Sequence, residues 1–125
     1  MKLIPILLAL GMLAVIGCSR EDKKPAPYLA ELVKKAEAGD ARAQYNVGKA
    51  YYLGQGVTQD YKEAIKWYTK SAEQGNMGGQ ERLGICYSKG KGVAKDEKEA
   101  VKWFAKSAKQ GNERAKQRLE ELKSK

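Results

Sequence analysis

At 125 residues, with 24 Lys and Arg against 15 Asp and Glu and no histidine, the chain carries a formal charge of +9. The lack of histidine excludes Ser-His-Asp and Cys-His catalytic sites, and the only cysteines, Cys18 and Cys86, do not have zinc-ligand spacing. The length allows one domain plus processing and linker segments.

The chain starts with a positive Met1-Lys2, followed by an apolar run over Leu3–Ile16 broken only by Pro5 and Gly11. This run is shorter than the ~20 residues that span a bilayer comfortably, and it reads as a secretory signal. Its end, Val15-Ile16-Gly17-Cys18, resembles the bacterial lipoprotein signal. That resemblance implies cleavage before Cys18 and lipidation of its thiol; the alternative is an ordinary signal or short anchor that happens to hold a cysteine. In the same resemblance, Ser19 rather than Asp after the cysteine implies the outer membrane of a Gram-negative cell, facing the periplasm. The expected organisation is therefore a signal peptide over 1–17, lipidated Cys18 and a linker over 18–27 stiffened by Pro25 and Pro27, and a folded domain over 28–125. Lipidation would consume Cys18 and leave Cys86 no intrachain disulfide partner.

From residue 28 onwards the chain repeats itself every 36 residues. Windows 40–75 and 76–111 share 17 of 36 positions. A fixed period of this size marks a repeat array. Gly39, Gly75 and Gly111 suit the left-handed position past a helix end, and Asp40, Asn76 and Asn112, which follow them, suit the N-cap of the next helix. Gly54 and Gly90 end the first helix of each unit, Val57 and Val93 plug the loop, and Asp60-x-x-Glu63 and Asp96-x-x-Glu99 have capping-box spacing. First helices are predicted at about 40–53 and 76–89 and second helices at about 61–74 and 97–110. Ile65, Tyr68 and Ala72 are matched by Val101, Phe104 and Ala108 on one apolar face. Gly48 and Gly84 fall mid-helix, where glycine costs roughly 1 kcal/mol relative to alanine, so close helix–helix approach is expected there. Leu29, Leu32 and Ala36 continue the register backwards as a lone second helix over 28–38. Ala115 and Leu119 continue it forwards as a lone first helix over 113–123. The fold class is all-α: an α-solenoid of about six helices, with two full repeats and a half repeat at each end.

The pattern Ala43, Val47-Gly48, Tyr51, Gly54-x-Gly56-Val57, Asp60, Ala64, Trp67-Tyr68-x-Lys70-x-Ala72, Gly75 resembles the Sel1-like repeat family, related in fold to tetratricopeptide repeats. The likeness covers Asp40 to Gly111. The second copy departs at Gly79, where the family usually has alanine, and Glu63 and Glu99 stand where it has lysine. The resemblance implies a module that binds protein or peptide, with the first helices lining the concave side. No cofactor and no metal are expected.

On that reading the solvent stripe of the first helices contains Arg42, Tyr45, Asn46 and Lys49, then Glu81, Arg82 and Ile85, then Arg118. Tyr45 and Arg82 are the expected anchors, because Tyr and Arg are enriched among residues that carry binding energy. Arg42 and Lys49 favour an acidic partner or a peptide carboxylate. The plain alternative is ordinary solvent surface. Lysine rows at 62, 66 and 70 and at 98, 102 and 106 suggest either a solvated outer face or attraction to anionic envelope surfaces. Nucleic acid is not expected for an exported chain. Ser88-x-x-Lys91 matches the serine–lysine pattern of penicillin-interacting enzymes, but no Lys-Thr-Gly or Ser-Asp-Asn companion exists. Cys86 is expected to be a buried, inert thiol. The expected product is a membrane-tethered, non-enzymatic binding protein of the cell envelope. The alternatives are an enzyme acting on cell-wall peptide or β-lactam, and an immunity or inhibitor protein against an envelope toxin.

Overall fold

The computed structural model describes residues 25–125, so Cys18 and the signal lie outside the described residues. The six helices among the described residues are α1 (Pro27–Glu37), α2 (Ala41–Leu53), α3 (Tyr61–Glu73), α4 (Met77–Lys89), α5 (Glu97–Lys109) and α6 (Glu113–Lys123). No strand occurs among the described residues. Each helix packs chiefly on its neighbours in sequence, and α2 also touches α4 directly. That contact puts the first helices of the repeats on the inner side of the array and leaves α3 and α5 on the outer side.

The punctuation residues explain these boundaries. Gly39, Gly75 and Gly111 have φ of 100°, 89° and 97°, a region that favours glycine. Asp40, Asn76 and Asn112 then cap the next helix, their side-chain oxygens accepting from the N–H of Ala43, Gly79 and Ala115 at 2.9, 2.8 and 3.3 Å. Asp60 and Asp96 accept from the N–H of Glu63 and Glu99, each at 3.1 Å. Only this half of the expected capping box forms. The N–H of Asp60 and Asp96 donates instead to the carbonyls of Tyr51 and Tyr87 at 2.9 Å, which folds each glycine loop back onto the helix before it. Glu63 and Glu99, released from capping, pair with Lys66 and Lys102 at 3.1 and 3.5 Å.

The core falls into three clusters along the array, joined through the partly buried Tyr51 and Tyr87. Trp67 packs with Leu29, Ala36, Ala43, Val47, Ala50 and Val57. Trp103 lies one repeat further on, with Ala64, Tyr68, Ala72, Leu83 and Cys86. Ile85, Phe104 and Ala115 close the last interface. Val93 is only partly buried, so it fills its loop less completely than Val57. The mid-helix glycines serve this packing. A Cβ on Gly48 would sit 2.7 Å from Tyr68 Cδ1, and one on Gly84 2.7 Å from Phe104 Cδ1. Gly79, the departure from alanine, has the same cause: a Cβ there would lie 2.6 Å from Ser71 Oγ.

Buried polar groups fasten the helices in a repeating pattern. Ser71 Oγ donates to the carbonyl of Ala41 at 2.7 Å, and Ser107 Oγ to that of Met77 at 2.8 Å. Gln44 and Gln80 donate to Ala36 and Ala72 across the helix–helix corner at 3.1 and 3.2 Å. Leaving such a buried acceptor unpaired would cost roughly 1–3 kcal/mol, so these bonds also fix the angle between successive pairs.

Candidate binding groove

The inner helices α2, α4 and α6 carry all eight residues expected to meet a partner, and the structure sorts them. Arg42 is exposed, and Tyr45, Asn46, Lys49, Arg82 and Arg118 are partly exposed. Glu81 and Ile85 are not on the surface, with exposures of 2% and 4%. Glu81 turns towards α6, where it accepts from Asn112 Nδ2 at 3.0 Å and lies 3.5 Å from Arg114. Ile85 packs with Ala100, Phe104 and Ala115. Both belong to the interface with the last helix rather than to the solvent stripe.

An aromatic layer underlies the middle of the groove. Tyr68 reaches inwards from α3 over Gly48 and is completely buried. Its ring lies 6.2 Å from that of Tyr45 and 6.3 Å from that of Tyr52, separations within the range of favourable aromatic pairs. Tyr52 in turn meets Tyr61 edge-on at 5.1 Å. Burial raises the Tyr68 phenol above its usual range, although the Arg82 guanidinium partly opposes this. For Arg82, burial disfavours the charge. Its interaction with the Tyr45 phenol oxygen, together with Tyr68 and Glu81, outweighs that and moves its pKa upwards. Arg82 Nε and Tyr68 Oη are both buried without a hydrogen-bond partner. Tyr52 and Tyr68 were not among the expected site residues. Their signal was the replacement of tyrosine by Ser88 and Phe104 one repeat on.

The other sequence candidates are not assembled into sites. Ser88 Oγ donates to the carbonyl of Ile85 at 3.1 Å, while Lys91 Nζ lies 5.2 Å from the centre of the Tyr61 ring. The serine–lysine pair is therefore not brought together. Cys86 is fully buried, and burial pushes its thiol up to about 12, which suppresses the reactive thiolate. On the outer side, Lys70 and Lys106 each stack 4.5 Å from the centre of the tryptophan at Trp67 or Trp103. Much of each lysine row is thus engaged by its own helix.

Stacked helix pairs with an inner groove define a repeat solenoid of the kind that presents an extended binding surface. The Sel1 repeat family model matches residues 41–76 and 79–112, and the chain belongs to that family. It is similar to a Sel1 repeat protein from Oxalobacter formigenes (44% identity, TM-score 0.72), over 73% of this chain but 26% of that one. It is also similar to c5321, a protective antigen present in uropathogenic Escherichia coli strains (40%, TM-score 0.70; 73% and 20% covered). Cysteine-rich protein B of Helicobacter pylori aligns at 31% identity and TM-score 0.68, over 84% of this chain and 77% of that one. A sel1-like repeat-containing protein of Acanthamoeba polyphaga mimivirus shares 49% identity over 35 residues, 28% of this chain and 6% of its own length. The chain thus spans about a quarter or less of the length of three of these four relatives. Sel1 repeats are generally protein–protein interaction modules.

Proposed function

We propose that the protein is a lipid-anchored binding module of the cell envelope, tethered through Cys18, that holds a protein or peptide partner in the groove formed by α2, α4 and α6. The observation that carries this reading is the inner surface itself. Arg42, Tyr45, Asn46, Lys49, Arg82 and Arg118 share one face of three successive inner helices, around a tyrosine layer in which Tyr68 is fully buried and Tyr45 and Tyr52 are partly buried. Tyr and Arg supply contact area and fork-shaped hydrogen bonding at low ordering cost. The tether rests on the sequence Val15-Ile16-Gly17-Cys18. Each buried CH₂ of an acyl chain contributes ~0.8 kcal/mol to membrane association.

One capture experiment tests both parts. Tagged protein is recovered from detergent-solubilised envelope and its companions are identified by mass spectrometry. The groove variant Tyr45→Ala with Arg82→Ala is expected to lose the partner. The outer-face variant Lys66→Ala with Lys102→Ala is expected to keep it. Loss in the outer-face variant alone transfers the binding surface to the lysine rows. Cys18→Ser is expected to give an uncleaved or a soluble form; a variant that is still processed and stays in the membrane fraction would rule out the lipid anchor.

A further inference from the structure

The groove contains the same inter-helix position three times, and the three copies are not alike. Its floor comes from residue 32, 68 or 104 of an outer-type helix, and its walls from residues 46, 82 or 118, 49, 85 or 121, and 50, 86 or 122 of the next inner helix, each series in 36-residue steps. At the first position there is a hollow of about 250 Å³ lined by Tyr28, Leu32, Asn46, Lys49, Ala50 and Gln55. At the third there is one of about 220 Å³ whose lining includes Phe104, Arg118, Glu121, Leu122, Lys89 and Lys125. The middle position is filled. Tyr68 is larger than Leu32, and the apolar Ile85 replaces the charged Lys49 and Glu121. Ile85 is only 4% exposed, and Tyr52, which stands where the third position has the smaller Ser88, lies 6.3 Å from the Tyr68 ring. Equivalent positions of a repeat array face the same side, so the groove offers two open seats separated by one closed step.

The chemistry of the seats is also biased. The first has the cation Lys49 with amide and phenol donors and no carboxylate. The third has Arg118, Lys89 and Lys125 against Glu121 alone. Between them Arg82 is partly exposed, and the one acid beside it, Glu81, is taken by Asn112 and Arg114. We infer that the groove takes an extended acidic segment of its partner at two points. One carboxylate side chain sits in each end hollow, and the chain between them crosses the closed step over Tyr45 and Arg82. Two seats joined by one ligand bind cooperatively, because the second contact forms at high effective concentration. A segment too short to bridge them gains only one contact.

This inference rests on the groove reading above but can fail separately from it. Dye-labelled oligoglutamates of about four and about twelve residues, extended to ~3.3–3.6 Å per residue, are titrated into the full chain in detergent and followed by fluorescence anisotropy. The long peptide is expected to bind at least about tenfold more tightly than the short one. Lys49→Ala and Arg118→Ala, at partly exposed positions compatible with folding, should each bring the long peptide down to the short one's affinity. Oligoglutamine of the same length should not bind. Absence of binding, a missing length advantage, equal binding of oligoglutamine, or loss of the advantage in Lys66→Ala with Lys102→Ala instead would overturn the two-seat arrangement. If envelope capture still depends on Tyr45 and Arg82 in that case, the groove stands and only the two acidic seats fall.

Discussion

The outer helices are nearly copies of each other, and the inner helices are not. Between α3 and α5, 8 of 13 positions are identical: Lys62, Glu63, Ala64, Lys66, Trp67, Lys70, Ser71 and Ala72 recur at 98, 99, 100, 102, 103, 106, 107 and 108. Between α2 and α4 only 3 of 13 recur: Gln44, Gly48 and Tyr51, as Gln80, Gly84 and Tyr87. The kept inner residues are structural: a corner hydrogen bond, a close approach and a partly buried ring packed on the core. The outer helices therefore carry the scaffold, and what distinguishes one repeat from the next lies on the inner side. Part of the inner difference is packing, since Lys49 gives way to buried Ile85 and Tyr45 to buried Glu81 where α4 meets α6. The remainder is groove surface.

The largest expected effect breaks the scaffold side of this contrast. Trp67→Ala and Trp103→Ala each remove a buried indole from a different core cluster, and truncation of a buried tryptophan costs roughly 3–5 kcal/mol. Two full repeats fall below the number usually needed for a stable array, about three, so either variant should be largely unfolded at room temperature by far-UV circular dichroism. A melting curve unchanged from the parent in both would mean that the copied outer residues are not the scaffold.

A smaller effect is expected where the two sides meet. Gly84→Ala places a Cβ 2.7 Å from Phe104 Cδ1 and Cδ1's neighbour Cε1. Overpacking of this kind costs typically 1–3 kcal/mol, against the roughly 1 kcal/mol that alanine gains in helix propensity. Net destabilisation is expected, with partial rescue when Phe104→Leu is added. In a double-mutant cycle the two changes should couple by roughly 0.5–3 kcal/mol. Simple additivity would show that the glycine is not there for the aromatic ring.

The repeat punctuation made the fold legible, because glycine at positive φ and Asp or Asn at an N-cap act locally and need no knowledge of the neighbours. The same locality explains the half-formed capping boxes. The motif foretells Asp60 accepting from Glu63, but the N–H of Asp60 is claimed by Tyr51, a contact across the loop. The groove was legible as a face and not as a surface. Register alone maps Glu81 onto Tyr45 and Ile85 onto Lys49, so all four look alike in sequence. Burial of Glu81 and Ile85 depends on α6 lying beside α4, which a single-repeat pattern does not encode. The filled middle step is similarly hidden, because it needs Tyr68, Ile85 and Cys86 from two helices at once.

Cys86 provides the smallest and sharpest test, because it is an inner-helix difference (Ala50 one repeat earlier) that the contrast assigns to packing rather than binding. Its thiol has a reference value of 9.0 and is pushed up to about 12 by burial, slightly opposed by Arg82. Below about pH 9 folded and unfolded chains both hold the proton. Above that the unfolded chain releases it while the folded chain keeps it until pH nears its raised value. The unfolded state then binds fewer protons, so stability falls as pH rises through this window. Tyr68 acts in the same direction, since burial also raises its phenol above 10.0. The urea midpoint should therefore drop between about pH 8 and about pH 10, and drop less in Cys86→Ala and in Tyr68→Phe. The native protein should resist iodoacetamide at about pH 8 and react once urea unfolds it. Rapid alkylation of Cys86 itself in the native protein, read at that residue by peptide mass spectrometry, would place it on the groove surface, and the inner face would then hold a reactive group where the contrast allows only a structural one.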